Sequence, residues 1–70
     1  MNNTQKSNST SIVYLTVQDI ATTLQIGKDK AYMLCALDGF PAIKINKAYR
    51  IHPLKFTKWL EDNLGKCIAL

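Results

Sequence analysis

Few side chains in this 70-residue chain are of a type that does bond-making chemistry. His52, Cys35 and Cys67 are its soft metal ligands, and the two cysteines stand far apart in sequence with no close partner of ligand type. A structural zinc takes four ligands, commonly in closely spaced pairs, so no metal is expected. His52 lacks a Ser, Cys or carboxylate in any nucleophile and base pattern, so no catalytic residue and no enzyme activity are expected either. Cations are what the chain concentrates. Lys28, Lys30, Lys44, Lys47, Arg50, Lys55 and Lys58 fall in one stretch with Asp29 and Asp38 as its only acids, while the flanks together carry a small negative excess. Such a block suits a polyanion, nucleic acid foremost, and lysines that merely keep a small domain soluble are the plain alternative.

Local signals show how those cations are held. Ile12 to Leu15 reads as a short extended lead-in. Thr16 then offers an N-cap with Asp19 three residues on, a capping box opening a helix whose apolar face is Val17, Ile20, Ala21 and Leu24. Gly27 is the expected turn residue. A second helix over 28–37 places Ala31, Leu34, Cys35 and Asp38 on one side, with Lys28, Asp29, Lys30, Met33 and Ala36 opposite. Asp38-Gly39-Phe40-Pro41 ends it. From Ala42 the period becomes alternating. Ile43-Lys44-Ile45 and Tyr49-Arg50-Ile51 read as a hairpin around a three-residue turn, Asn46-Lys47-Ala48, with isoleucines inward and Lys44, Lys47 and Arg50 outward. Pro53 suits the start of a third helix, along which Phe56, Trp59, Leu60 and Leu64 recur until Gly65. Phe56 and Trp59 are expected in the core, and His52 is expected to cap or flank that helix.

The expected fold is mainly α with a small β-hairpin, a winged helix-turn-helix. In this reading the backbone N–H groups, Lys28 and Lys30 at the start of the second helix favour phosphate, and Tyr32 and Met33 lie one turn along. Tyr32 suits either packing or a phosphate contact. On the wing, the planar, weakly hydrated guanidinium of Arg50 is the better candidate for a groove. The expected DNA-binding residues are therefore Lys28, Asp29, Lys30, Tyr32, Met33, Lys44, Lys47 and Arg50.

Size and composition bound the reading. Residues 1–11 are polar apart from Met1 and are expected to be a disordered tail, with the domain over 12–66 and a short tail over 67–70. So small a domain buries about 60% of its unfolded surface, enough for a core and hardly for a deep pocket, so no small-molecule ligand or cofactor is expected. No apolar run is long enough for a bilayer and the leader lacks the apolar stretch of a secretory signal, so no membrane association and a cytoplasmic location are expected. The leader's two Asn-x-Ser/Thr sequences then read as accidents. In a reducing compartment both cysteines stay free.

The stretches Tyr14-Leu15-Thr16-Val17-Gln18-Asp19-Ile20-Ala21, Leu24-Gln25-Ile26-Gly27-Lys28, Phe40-Pro41-Ala42-Ile43-Lys44-Ile45, Tyr49-Arg50-Ile51 and Trp59-Leu60 together resemble the excisionase and MerR-like winged-helix family of small DNA-binding proteins from bacteria and mobile elements. The resemblance implies a second helix that reads the major groove of double-stranded DNA and a wing on the adjacent backbone or minor groove. It also implies a role in directing an integrase by bending attachment-site DNA, or in regulating transcription. The sequence departs from the family at Gly27, where a Ser or similar cap is usual, and at Met33 and Ala36, where Arg is frequent. The wing tip, usually Gly followed by basic residues, is Asn46-Lys47-Ala48 here. These departures shift the expected affinity toward phosphate contacts and DNA shape. Docking of an integrase or an acidic partner, with DNA contact secondary, is the alternative function.

Overall fold

A computed structural model describes residues 12–70; the leader with its Asn-x-Ser/Thr sequences lies outside the described residues. Three helices and one hairpin follow in the order α1 (Val17–Leu24), α2 (Lys28–Cys35), β1 (Ala42–Ile45), β2 (Ala48–Ile51) and α3 (Pro53–Asp62). The architecture is thus mainly helical with a small antiparallel hairpin, as expected.

The starts of α1 and α3 are each set by a local side-chain device. The Asp19 N–H donates to Thr16 Oγ1 at 3.1 Å and the Thr16 N–H donates to Asp19 Oδ2 at 2.9 Å, a complete capping box on α1. At α3, Pro53 occupies the first turn and the Lys55 N–H donates to His52 Nδ1 at 3.3 Å. His52 is therefore the cap of α3, and its Nδ1 is used for that bond.

The turn between α1 and α2 differs from the expected one. Gln25, at φ 56 and ψ 49, takes the left-handed conformation that closes α1, and the Ile26 N–H donates to the Ala21 carbonyl at 3.0 Å. Gly27 has an ordinary extended backbone at φ −64 and ψ 155 and serves as the N-cap of α2, without a side-chain bond. A glycine marks a turn without necessarily supplying its unusual angle, since Asn and other polar residues also visit the left-handed region. α2 is shorter than expected. It ends at Cys35, and Asp38 stands exposed in the turn beyond rather than on the helix's inner side. Gly39, at φ 86, makes that turn and hands the chain to Phe40.

The core is assembled from Val17, Ile20 and Ala21 of α1, Ala31, Leu34 and Cys35 of α2, and Phe40, Ile51 and Phe56. Phe40 sits edge-on to Phe56 at 5.8 Å and to Trp59 at 4.9 Å between ring centroids, tying the end of α2 to α3. The lead-in joins the sheet: the Leu15 and Ile51 N–H groups each donate to the other's carbonyl at 2.8 Å, an antiparallel bridge on the free side of β2. α3 stops at Asp62, and Leu64, expected on its apolar face, lies past the helix at 77% exposure. The helix closes earlier because the Asn63 side chain donates to the Trp59 carbonyl at 2.7 Å and occupies the last-turn acceptor.

Candidate nucleic-acid interface

α2 is divided cleanly between two environments. Ala31, Leu34 and Cys35 face α1 and the core, which leaves Lys28, Asp29, Lys30, Tyr32 and Met33 exposed along the outer surface. Asp29 in the first turn complements the positive end of the helix dipole, so its carboxylate supports the helix and reduces the net charge offered there.

The wing is built on a two-residue turn. Ile45 pairs with Ala48, and Asn46, at φ 57, takes the left-handed position that an asparagine tolerates well. This turn is one residue shorter than expected, and the difference inverts the faces of β1. Paired residues in an antiparallel ladder share a face and successive residues alternate. With Ala42 opposite Ile51, Ile43 opposite Arg50 and Lys44 opposite Tyr49, one face holds Ala42, Lys44, Tyr49 and Ile51, and the other holds Ile43, Ile45, Ala48 and Arg50. Ile51 is fully buried, so the first of these faces the helices. The expected outward row of Lys44 and Arg50 is therefore corrected: the two cations lie on opposite faces, and Ile43 and Ile45 point outward. A shift of one residue in register moves every side chain of a strand to the other side, so the length of the turn decides which face each cation takes.

The inner face of the wing continues the outer surface of α2. Tyr32 and Tyr49 meet edge to face at 6.4 Å, and Lys44 Nζ stands 5.6 Å from the Tyr49 ring centroid, a cation–π contact. Beside them, the start of α1, the start of α2 and β2 enclose a recess of about 240 Å³ bordered by Thr16, Gln18, Lys28, Tyr32, Tyr49 and Arg50. Arg50 is half-buried there, and its Nη1 donates to the Tyr49 carbonyl at 2.7 Å. That bond holds the guanidinium against the body of the wing rather than at its tip, where Lys47 stands.

Of the expected residues, the structure thus groups Lys28, Tyr32 and Arg50 around one recess, with Lys44 joined to them through Tyr49. Lys30 and Met33 continue along α2, and Lys47 is set apart at the turn. Thr16, Gln18 and Tyr49 also border the recess and were missed as site residues. Thr16 and Gln18 reach it through the Leu15–Ile51 bridge, a long-range pairing that brings the start of α1 against Arg50 and leaves no local mark in the sequence.

Other chemistry has little support among the described residues. No three His, Cys, Asp or Glu side chains there stand close enough to hold a metal ion, and no helix is long and apolar enough to cross a membrane. Cys35 is buried, which pushes its thiol pKa up, away from the reactive thiolate.

Two short helices around a tight turn, an exposed and cationic second helix, and a hairpin beside it define a winged helix-turn-helix domain. The chain belongs to the helix-turn-helix domain family, which it matches over residues 14–64, and is thereby a helix-turn-helix DNA-binding domain. No curated protein and no solved structure matches it.

Proposed function

We propose that the protein binds double-stranded DNA with α2 in the major groove and the wing on the adjacent backbone or minor groove, in the cytoplasm of a bacterial host. It serves there as an excisionase-type factor that places or bends attachment-site DNA for an integrase, or as a small transcriptional regulator. The observation that carries the DNA contact is the continuous surface from Lys28 and Tyr32 through Tyr49 to Lys44, with Arg50 at its margin. Lys28, Lys30 and Arg50 meet phosphates, while Tyr32 and Met33 face the base edges with few hydrogen-bond donors. Sequence preference therefore leans on DNA shape and deformability. The chemistry is binding and positioning rather than catalysis.

Replacing Lys28, Lys30 and Arg50 together with alanine tests this reading by electrophoretic mobility shift. DNA retardation should vanish while the circular dichroism spectrum is unchanged, because all three side chains lie outside the core. Retained retardation overturns it. The two roles separate in a recombination assay: an excision factor shifts the product ratio of an integrase on attachment-site DNA, and a regulator alters promoter output alone.

A further inference from the structure

The outer face of the wing lies opposite the one that carries Lys44 and Tyr49, and only Arg50 and Ala48 connect it with the recess. Ile43 and Ile45 are 52% and 55% exposed, and they share this face with Ala48 and Arg50. β1 pairs with β2 along one edge, and among the described residues no strand pairs with its other edge. A strand edge with exposed isoleucines and free backbone groups is a template for a further strand.

We propose that β1 accepts an extended segment of a partner protein as an added antiparallel strand, and that this segment alternates apolar and acidic residues. The charge pattern selects the occupant. Residues of the added strand opposite Ile43 and Ile45 share their apolar face, and the residue between them stands opposite Lys44 on the other face. An apolar, acidic, apolar triplet satisfies all three positions. A second copy of the chain fits less well: the self-pairing centred on the strand, about a two-fold axis through Lys44, sets Lys44 against its own counterpart, and both copies carry a net charge of +4. Like charges directly opposite one another on neighbouring strands are destabilising. The proposal shares Lys44 and Arg50 with the DNA reading, but its test contains no DNA, so either can fail without the other.

The probe is an octapeptide of alternating isoleucine and glutamate, acetylated and amidated at its ends, titrated into the full-length isotope-labelled chain and followed by amide chemical shifts. The expected shifts concentrate at residues 42–45. A peptide with lysine in place of glutamate binds about fivefold more weakly, the size of one favourable cross-strand charge pair replaced by an unfavourable one. Lys44→Glu reverses that order of preference, whereas Lys58→Glu, the same charge change on α3, leaves it unaltered. Ile43→Ser combined with Ile45→Ser removes binding, and since both side chains are exposed the fold persists, as circular dichroism will report. The proposal is overturned by shifts confined to other parts of the chain or by equal binding of the two peptides. It is equally overturned if β1 is found in contact with the leader, residues 1–11, or in a dimer that the isoleucine variants dissolve.

Discussion

Thr16 and Asp19 show how much a local pattern settles. Their two reciprocal hydrogen bonds need only a three-residue spacing, and the spacing is visible in the sequence. Thr16→Ala should lower stability by about 1 kcal/mol, read as a fall in Tm of roughly 4–8 °C for a domain of this size. Gln25 is the opposite case. Its left-handed backbone closes α1 ahead of the turn into α2, and nothing in Gln25-Ile26-Gly27 announces that the first residue rather than the glycine will bend. Gln25→Gly should therefore stabilise the chain by about 0.5–1 kcal/mol, seen as a higher denaturation midpoint, because the backbone strain is relieved. The cysteines divide by burial. In the native protein iodoacetamide should modify Cys67 and spare Cys35, and in denaturant both should react, with mass spectrometry counting the adducts. Cys35 also carries a pH sign. Burial raises its folded pKa above the ordinary thiol value, so the unfolded chain loses the proton first and stability declines as pH rises through the thiol range.

At the level of elements, helices were legible and faces of the wing were not. The helical periods of Val17, Ile20 and Ala21, and of Ala31, Leu34 and Cys35, coincide with the buried residues because each helix needs one apolar stripe and has no second way to bury it. The hairpin has two ways. Ile43 and Ile45 look like an inward row when read alone, yet the buried Ile51 and the two-residue turn at Asn46 together force Ala42 and Lys44 inward instead. Register is a property of the pair, and a single strand does not contain it. The link between α2 and α3 rests on Phe40. Phe40→Ala removes both aromatic contacts from a fully packed site and should cost about 3–5 kcal/mol, a large share of the roughly 5–15 kcal/mol that holds an ordinary domain together. A urea titration should show the midpoint falling steeply, whereas Leu54→Ala on the exposed side of α3 should leave it nearly unchanged.

For the whole molecule, charge acquires a direction. The excess of cations in the middle of the sequence becomes a surface on α2 and the wing, with Lys28, Lys30, Lys44, Lys47 and Arg50 as the groups available to phosphates. The sequence located these residues, but the recess shared by Lys28, Tyr32 and Arg50 with Thr16, Gln18 and Tyr49 arises from the pairing of Leu15 with Ile51 and was hidden until the chain was folded. The central claim is that this surface neutralises DNA phosphates. Each phosphate met by a cation releases bound counterions, so affinity falls with salt in proportion to the number of contacts. The direct measurement is the dissociation constant for a duplex containing the target site, taken across a range of salt concentrations. Contact by about four to five of the cations gives a log–log slope of about −3.6 to −4.5, and a slope near zero would contradict the account.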